Sequence, residues 1–337
     1  MVIDVKTNNV NVNKDYDIIV GKNILDIIEQ YVVFPSNTLI VTDTNIPDEY
    51  IQKIISKANN SVVYKMKPGE NSKTIETYQE IMTVLLSEKF TRSDLIIALG
   101  GGVVGDLTGY VAATYKRGID FINIPTSTLS MIDSSIGGKV AINFNGIKNV
   151  VGAFYMPRKV IISLDTLKSL PLRHYNNGLM EALKAGLIYD KELYDIFKQN
   201  RLNEIENIIV KSLMVKKDVV EIDPLEKGLR RILNFGHTIG HAIESENFEK
   251  MFHGEAIAYG MLYFLSDDLK QEVKQIIENI IGKINYELEV EEAMALIAND
   301  KKCSKDGVSV VKVEKIGNAE IVNYTLDELR TILDGGL

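Results

Sequence analysis

Short apolar runs alternate with amphipathic stretches through the first half of the chain. The apolar runs predict strands over Asp17–Val20, Thr38–Thr42, Ser61–Lys65, Asp94–Leu99, Phe121–Ile124 and Val160–Leu164. Between several of them, apolar residues recur every three to four positions and predict helices over Asn23–Val32, Asp48–Ala58, Ser72–Ser87 and Val104–Tyr115. Strands that alternate with helices predict a mainly parallel sheet with helices on both faces, which defines an α/β domain.

Beyond Pro171 the apolar spacing becomes helical almost to the end of the chain. With 337 residues, the chain is long enough for two domains that each have a core of their own. We therefore predict an α/β domain over residues 1–170 and an all-α, mainly helical domain over residues 171–337. Within the second domain, the segment from Asn299 to Val313 suggests a loop that leads into a short strand.

The most unusual pattern of the second domain lies in the segment Gly228–Glu255. Treated as one helix, its first part, residues 228–244, places four polar side chains at i, i+4, i+7 and i+11 on one face of an otherwise apolar surface: Arg230, Asn234, His237 and His241. A third histidine, His253, stands at the predicted start of the next helix. Histidines at i and i+4 can be hydrogen-bonded core residues. The whole set nevertheless favours a site for a metal and an anionic ligand, because buried polar groups need partners.

Glu181 and Lys184 form a second polar pair, in the apolar helical stretch that follows Pro171. Such an i, i+3 pair is usually a modest ion pair on a helix surface. Here the apolar setting indicates that Glu181 could supply the oxygen ligand that a site with two histidines lacks. By spacing alone, His237 and His241 would be chosen as the metal ligands, and this choice stays open at the level of the residues.

Two predicted strands of the first domain end in residues suited to a ligand. One strand runs into Gly100–Gly105, a G-x-G-x-x-G pattern whose glycines would let backbone N–H groups at a helix N-terminus approach a pyrophosphate. The pattern comes late in the sheet and Asp106 follows it directly, so it indicates a non-standard Rossmann-like dinucleotide site; a tight turn for packing is the alternative. The other strand ends at Asp43, Thr44 and Asn45, and such ends gather ligands in parallel sheets.

The segment 114–149 is rich in hydroxyls, glycine pairs and spaced cations. Arg117, Lys139 and Lys148 are its cations, and Asp133 stands among apolar neighbours. Each cation alone would be an ordinary solvated side chain. Together they predict an anion-binding loop next to the dinucleotide site.

Composition narrows the function classes further. The chain is 45% hydrophobic and 25% charged, with a net charge of −8, which argues against nucleic-acid binding as its main role. Cys303 is the only cysteine, so the sequence offers no intrachain disulfide and no thiolate zinc cluster, and a metal would need N and O ligands. We find no signal-peptide layout and no apolar run that could span a bilayer, so we expect a cytoplasmic protein without a membrane segment.

These motifs together resemble the 3-dehydroquinate synthase family. The resemblance spans nearly the whole chain and rests on V-T-D-T-N, G-G-G-V-V-G-D, I-P-T-S-T-L-S-M-I-D-S-S-I-G-G-K, M-E-A-L-K, G-L-R-R-I-L-N-F-G-H-T-I-G-H, F-H-G-E-A-I-A-Y-G and D-K-K. One departure is Thr126-Ser127, where the family commonly has two threonines. The resemblance implies a Rossmann-like NAD-binding domain over residues 1–170 and a mainly helical metal- and substrate-binding domain over residues 171–337.

Carried over by motif, the resemblance also implies roles for individual residues. The ligands of a zinc or cobalt ion would be Glu181, His237 and His253. NAD would contact Asp43, Thr44, Asn45, Glu70, Lys73, Gly101, Gly102, Val103, Asp106, Thr126, Ser127, Lys139, Lys148, Thr166, Leu167, Lys168 and Ser169. The substrate would contact Arg117, Asp133, Lys139, Asn149, Lys184, Lys216, Arg230, Leu233, Asn234, His241 and either Lys301 or Lys302. Catalytic roles would fall to His241, Glu226 and Lys184, and Arg117 would reach across the interface of a homodimer.

The reaction implied by the resemblance converts 3-deoxy-D-arabino-heptulosonate 7-phosphate into 3-dehydroquinate and phosphate, within the shikimate pathway to chorismate and the aromatic amino acids. Transient oxidation by NAD is followed by phosphate elimination, re-reduction, ring opening and an intramolecular aldol closure. Three alternatives remain: a cyclase acting on another sugar phosphate, a metal-dependent polyol or alcohol dehydrogenase, and a non-catalytic module that senses NAD or a metal. Arg230 and Lys216 favour a substrate that carries a carboxylate.

Overall fold

A seven-stranded sheet is the centre of the N-terminal unit, Met1–Pro171. The computed structural model describes residues 1–6, 15–248, 250–299, 303–304 and 307–336. The strands are β1 (Val2–Val5), β2 (Tyr16–Gly21), β3 (Thr38–Asp43), β4 (Ser61–Met66), β5 (Leu95–Gly100), β6 (Asp120–Pro125), β7 (Lys139–Phe144), β8 (Ile147–Phe154) and β9 (Lys159–Ser163). The sheet has the order β1-β2-β9-β6-β5-β3-β4, and every neighbouring pair is parallel except β1 with β2.

Helices cover both faces of this sheet, as the alternating pattern predicted. They are α1 (Asp48–Ile55), α2 (Ile75–Ser87) and α3 (Gly102–Thr114), with a 3₁₀ segment at Ile24–Gln30 that is interrupted at Ile27. Leu39 of β3 packs in the core on the side of α2 and α3, whereas its neighbour Ile40 packs on the side of α1. All six residues of β5 are buried, because a central parallel strand is covered on both faces.

The segment predicted as a polar anion-binding loop is instead partly an antiparallel hairpin of β7 and β8. Asn145 and Gly146 join the two strands and both have positive φ, of 50° and 78°. An Asn-Gly pair is a strong hairpin signal because both residues tolerate that conformation. The prediction overlooked this signal since the polar side chains around it favoured a loop.

The C-terminal unit, Leu172–Leu337, is mainly helical, as predicted. Its helices are α4 (Leu172–Ile188), α5 (Lys191–Lys198), α6 (Ile205–Ile222), α7 (His237–Glu246), α8 (His253–Leu262), α9 (Asp267–Ile281), α10 (Val290–Asn299) and α11 (Leu326–Asp334). Between α10 and α11 lies a three-stranded antiparallel sheet of β10 (Cys303–Ser304), β11 (Gly307–Lys315) and β12 (Asn318–Tyr324), where the sequence suggested one short strand. None of the described helices is long and apolar enough to cross a membrane.

The single helix predicted over the polar stripe of residues 228–244 is wrong. A 3₁₀ turn at Leu229–Asn234 precedes α7, and Gly236 separates the two with a φ of 77°. A Cβ atom at Gly236 would lie 2.5 Å from Cγ of Met261, so the close approach of α8 also requires glycine here. Because the backbone turns at this point, the stripe is divided into two pairs: Arg230 with Asn234, and His237 with His241.

Candidate active site

Candidate cofactor residues gather at the carboxyl edge of the parallel sheet. The strands of the central sheet place these residues at or just beyond their carboxyl ends: Asp43, Thr44 and Asn45 at the end of β3, Glu70 and Lys73 after β4, Gly101 to Asp106 after β5, Thr126 and Ser127 after β6, and Thr166 to Ser169 after β9. Open parallel sheets bind ligands at this edge. The structure therefore brings the predicted residues of the N-terminal unit to the expected side of the sheet, while their role as NAD ligands stays a prediction.

The glycine turn after β5 leads directly into α3. Its N-cap, Gly101, has no side chain with which to cap the first turn, so an outside acceptor can meet the backbone N–H groups there. A Cβ atom at Gly102 would lie 2.9 Å from Oγ of Ser134, and the N–H of Thr126 donates to the carbonyl of Gly100 at 2.9 Å. The turn is thus narrow and held by β6, which fits the close approach of a pyrophosphate.

A buried lysine organises the neighbouring polar residues. Lys73 is 3% exposed, and its ammonium contacts the carboxylate of Asp106 at 2.5 Å and the side-chain oxygen of Asn149. Asn143 donates to Glu70 at 2.8 Å and accepts from the N–H of Asn149 at 2.9 Å. The pairing with Lys73 accounts for an acidic group immediately after the glycine turn. Sequence reasoning missed Asn143, whose position in a strand of mixed residues carries no motif.

The remaining predicted residues of this unit are more exposed. Asp43 accepts from the N–H of Asn45 at 2.8 Å, and burial raises the pKa of its carboxyl group. Asp133 lies in a π-helical turn at Ser130–Ser134, a rare element that often marks functional positions. Side chains exposed to solvent include those of Lys139, Lys148, Asn149, Lys168 and Arg117.

Three imidazoles converge in the C-terminal unit. The nitrogens of His237, His241 and His253 that could bind a metal all lie within 4.8 Å of one another. The ring centroids are 5.2 to 5.8 Å apart. His237 and His241 stand one turn apart on α7, and His253 is the first residue of α8. The three rings therefore meet at the point where the two helices approach, as the sequence predicted for a shared ligand.

Oxygen atoms orient two of these rings. Nδ1 of His253 lies 2.9 Å from a carboxylate oxygen of Glu244, and Nδ1 of His237 lies 3.1 Å from the carbonyl oxygen of Phe235. Each oxygen accepts a hydrogen bond from Nδ1–H, so in the neutral ring Nε2 is the nitrogen that carries the lone pair. This arrangement is typical of metal-binding histidines. Glu244 was missed from the sequence, although it continues the face of α7 at i+7 from His237.

Glu181 approaches the cluster from α4. Its carboxylate is 2% exposed, with one oxygen against Lys184 and the other 3.8 Å from Nε2 of His253. Neither oxygen accepts a well-formed hydrogen bond from the described residues. A buried carboxylate oxygen without a donor, next to an imidazole nitrogen, is the environment that a divalent cation would complete. The residues present therefore fit a metal held by Glu181, His237 and His253, or one held by the three histidines.

The protonation of His253 is coupled to its acidic neighbours. Burial lowers its pKa, but the hydrogen bond and charge of Glu244, together with the charge of Glu181, outweigh burial and raise the pKa above the ordinary value. A proton and a metal ion would compete for the same nitrogen. Metal affinity at this site should therefore depend on pH.

The polar residues that precede α7 form a separate group. Arg230 is 2% exposed and donates to the carbonyl of Pro224 at 2.6 Å, while Asn234 donates to Glu226 at 2.8 Å. Glu226 has a φ of 59°, a conformation that a residue other than glycine rarely adopts. Leu233 is half-buried in the same 3₁₀ turn.

Three cations of this unit are largely removed from water: Lys184, Lys216 and Arg230, which are 3%, 7% and 2% exposed. Buried cations are uncommon unless they serve a specific ion pair or ligand. Lys301 and Lys302, one of which the sequence analysis assigned to the substrate, lie outside the described residues.

Comparison with solved structures defines the class of fold. The structure matches 2-deoxy-scyllo-inosose synthase, solved with carbaglucose-6-phosphate, NAD+ and Co2+, with a TM-score of 0.89 and 23% identity over 100% of both chains. It also matches the 2-epi-5-epi-valiolone synthase ValA of Streptomyces hygroscopicus subsp. jinggangensis, solved with NAD+ and Zn2+, with a TM-score of 0.86 and 24% identity over 95% of this chain and 96% of that one. The chain thus has the fold of these two synthases.

Sequence comparison defines the family. Residues 63–177 match the model of the 3-dehydroquinate synthase N-terminal domain, and residues 178–303 match that of the C-terminal domain. A 3-dehydroquinate synthase of Clostridium beijerinckii is 41% identical over 330 residues, which cover 91% of this chain and 94% of the relative. The chain belongs to the 3-dehydroquinate synthase family of enzymes, as the sequence motifs indicated.

Proposed function

We propose that this chain converts 3-deoxy-D-arabino-heptulosonate 7-phosphate into 3-dehydroquinate and phosphate, with NAD and a zinc or cobalt ion as cofactors. The family match supports the reaction. Two solved proteins of the same fold contain NAD+ together with Co2+ or Zn2+, which supports the cofactors. The observation that carries the proposal is the convergence of Glu181 with His253, 3.8 Å apart, and of His253 with His237 in one cluster of imidazoles. The same unit buries three cations, and one of them, Lys184, pairs with Glu181.

Glu181, His237 and His253 are proposed to hold the divalent cation, with His241 left for substrate and proton transfer. The physical argument is the difference in surroundings: Glu181 is buried and the other two ligands have fixed Nε2 atoms, whereas His241 is exposed. When bound, the cation would act as a Lewis acid on substrate hydroxyls, and NAD would supply reversible hydride transfer. NAD would be reduced and reoxidised within one turnover, and the cation would keep its oxidation state.

Buried cations of the C-terminal unit are proposed to bind the substrate. The heptulosonate carries a carboxylate and a phosphate, and Lys184, Lys216 and Arg230 offer charges that are already removed from bulk water. Arg230 has a planar fork that suits a carboxylate, and Asn234 can serve hydroxyl groups. Leu233, Asp133, Lys139, Asn149 and one of Lys301 and Lys302 complete the proposed set.

Proton transfer is assigned to His241, Glu226 and Lys184. His241 is an exposed imidazole next to the two proposed metal-binding rings, so it can take up or release a proton at the reacting atoms. Glu226 is held by Asn234 in a strained backbone conformation. Such strain is commonly retained where it places a functional side chain.

The carboxyl edge of the N-terminal sheet is proposed to bind NAD. The pyrophosphate would meet the first turn of α3 through Gly101, Gly102 and Val103, and the residues after β3, β4, β6 and β9 would contact the rest of the cofactor. Lys148 and Lys139 are assigned to the same cofactor. We further propose a homodimer in which Arg117 reaches the substrate of the partner. Arg117 is exposed in the 3₁₀ turn Tyr115–Arg117 that follows α3 and has a φ of 65°. The cytoplasmic location stays a prediction.

A phosphate-release assay tests the proposal. The protein with NAD and zinc should release phosphate from the heptulosonate phosphate and should accumulate no NADH at steady state. Release only from glucose 6-phosphate or sedoheptulose 7-phosphate would indicate a cyclase with another substrate. Accumulation of NADH would indicate a polyol or alcohol dehydrogenase, and absence of any turnover would leave a non-catalytic sensor of NAD or metal.

A further inference from the structure

Four polar side chains lie in one line along a face of α4. Arg173, Asn177, Glu181 and Lys184 stand at i, i+4, i+8 and i+11, which is one line along a helix. Glu181 and Lys184 belong to the proposed metal and substrate site. The other two residues contact the first turn of α8, the helix that begins with His253.

Asn177 caps α8 from outside that helix. Its side-chain oxygen accepts from the N–H of Gly254 at 2.7 Å and from the N–H of Glu255 at 3.3 Å. The N-cap residue of α8 is Phe252, which has no side-chain acceptor. The first turn of a helix leaves N–H groups without partners within the helix, and Asn177 satisfies two of them. Asn177 is itself 5% exposed, so its side chain is held in place.

Arg173 makes a second link to the same turn. Its guanidinium donates to both carboxylate oxygens of Glu255, at 2.7 and 2.8 Å, and Glu255 is 2% exposed. Glu255 also accepts from the N–H of Phe252 at 2.9 Å, and the guanidinium carbon of Arg173 lies 4.2 Å from the centre of the Phe252 ring. A bidentate pair of this kind fixes orientation as well as distance.

Helices α4 and α8 are in direct backbone contact at Gly254. A Cβ atom at Gly254 would lie 2.1 Å from the carbonyl oxygen of Asn177. Only glycine therefore permits this approach. The residue before Gly254 is His253, whose Nε2 lies 3.8 Å from a carboxylate oxygen of Glu181. One rigid helix, α4, thus presents a proposed ligand and also holds the turn that presents another.

We propose that Asn177 and Arg173 are positioning residues of the metal site, which fix the first turn of α8 so that His253 faces Glu181. The inference rests on the proposed function, because it takes Glu181, His237 and His253 as the ligands. Neither positioning residue touches the metal or the substrate in this role. In metalloproteins, outer contacts of this kind contribute roughly 10–100-fold to metal affinity, because they keep the ligands in the geometry that the ion requires.

The test measures zinc affinity by competition with a chromophoric chelator, and the visible absorption spectrum of the cobalt-loaded protein. Asn177→Ala should bind zinc roughly 10–100-fold more weakly and should change the cobalt bands. Asn177→Asp keeps an oxygen acceptor at the helix N-terminus, so it should restore affinity to within about threefold of the parent. A residue needed only for folding would lower stability without changing the cobalt spectrum.

Arg173→Gln provides an independent variant with a matched control. It should weaken zinc binding about tenfold, because the Glu255 carboxylate loses its bidentate partner. The guanidinium of Arg330 makes a similar bidentate contact with the carboxylate of Glu291, and the hydrogen bond from its Nη2 measures 2.9 Å. Arg330→Gln removes that contact between α10 and α11 and should keep the zinc affinity and cobalt spectrum of the parent.

Two results would overturn the proposal in distinguishable ways. If the parent binds zinc tightly while Asn177→Ala and Arg173→Gln bind it equally well with an unchanged cobalt spectrum, the positioning role is excluded and the proposed function stands. If the parent binds neither zinc nor cobalt, the proposed metal site itself is excluded. Should Asn177→Ala fail to fold, Arg173→Gln decides the question, because Arg173 is about half exposed and the Glu255 carboxylate keeps the N–H of Phe252 as a donor.

Discussion

Hydrogen bonds to individual histidine nitrogens decide which atoms of this site can hold a metal. Glu244 fixes Nδ1 of His253 and the carbonyl of Phe235 fixes Nδ1 of His237, so both rings offer Nε2. Glu244 and Glu181 also raise the pKa of His253 against the opposing effect of burial. The same carboxylates therefore orient the ring and favour its protonated form.

Zinc affinity should rise with pH through the raised pKa of His253. The metal-free folded protein binds this proton more tightly than the unfolded chain does, so the proton stabilises the fold at low pH, and this contribution is lost as pH rises through the folded pKa. Zinc needs the neutral ring, so each pH unit below that pKa should lower zinc affinity about tenfold. Chelator competition between acidic and mildly alkaline pH measures the effect.

Glu244→Gln should separate orientation from charge. The amide can still accept from Nδ1–H but removes the negative charge, so the pKa of His253 should fall and the loss of affinity should begin at lower pH. At alkaline pH the variant should bind zinc about tenfold more weakly than the parent. Glu246→Gln, on the same helix and bonded instead to the N–H of Glu289, is the control and should behave as the parent. An identical pH profile for Glu244→Gln would contradict this role.

The choice between Glu181 and His241 as the third ligand is testable by metal content. Glu181→Gln should reduce zinc affinity by more than the roughly 10–100-fold typical of outer contacts, since a direct ligand is lost. His241→Asn should retain one zinc per chain and lose turnover. The double variant Glu181→Gln/Lys184→Met removes both buried charges and shows whether the isolated lysine, and not the missing ligand, causes any loss of stability. The reverse pattern would establish a site of three histidines.

At the scale of residues, the sequence predicted which side chains belong to the site better than it predicted the hydrogen bonds between them. Three of the four histidines stand in one window of the chain, so their involvement was visible. The pairing of Glu244 with His253 was not visible in the sequence. This hydrogen bond joins α7 to α8, and the relative placement of the two helices depends on how they pack. Asn143 was equally invisible, since its role comes from a hairpin that folds back onto Lys73.

At the scale of elements, the positions where helices end and begin determine the site as much as the helices themselves. The 3₁₀ turn at Leu229–Asn234 and the left-handed Gly236 set the start of α7 at His237. A continuous helix would have placed Arg230 and Asn234 on the same face as the histidines. The periodicity of the sequence could not exclude that helix, because glycine is tolerated inside helices and the local pattern on either side is helical.

Gly236→Ala should be far more damaging than the same change at Gly146, in the hairpin turn. Both glycines have similar positive φ values, 77° and 78°, so both variants incur about 1–2 kcal/mol of backbone strain. At Gly146 no described atom lies within 4 Å of the added Cβ, whereas at Gly236 it would meet Met261 and the backbone of Ile257 at 2.5 and 2.7 Å. The overlap should cost about 1–3 kcal/mol more.

Urea unfolding of the two glycine variants measures this difference, and zinc titration shows its effect on the site. Gly236→Ala should also weaken zinc binding, because α7 and α8 carry two proposed ligands. Equal loss of stability in both variants would show that the close approach of α8 to Gly236 is unimportant. The strands of the N-terminal sheet, in contrast, needed no such contact to be predicted, since continuous burial makes each a short apolar run.

Across the whole molecule, the order of the motifs carried more information than any one of them. The boundary predicted at residues 170/171 lies one residue from the division between Met1–Pro171 and Leu172–Leu337. The family match covers both units. The antiparallel sheet of β10, β11 and β12 was largely missed, because its strands are short or half-exposed and lack the continuous apolar run that marks the buried parallel strands.

Mixed dimers test the proposed role of Arg117 between subunits. Arg117→Ala alone should raise the KM for the heptulosonate phosphate about tenfold or more, since one charge-assisted contact is lost. Mixing it with His241→Asn, which lacks the proton-transfer group, should recover part of the activity in heterodimers that contain one intact site. The matched control is Lys168→Ala, which changes another exposed cation of the same unit and is mixed with His241→Asn in the same way. This mixture should show no activity beyond that of Lys168→Ala itself. Failure of the first mixture to recover activity would place Arg117 outside the partner's site.

The most direct measurement of the central claim is phosphate release from 3-deoxy-D-arabino-heptulosonate 7-phosphate before and after removal of divalent metal. Chelated protein with NAD should release no phosphate, zinc or cobalt should restore release, and NADH should not accumulate at any stage. Full activity of the chelated protein, or metal-dependent release that survives replacement of both His253 and Glu181, would contradict the account.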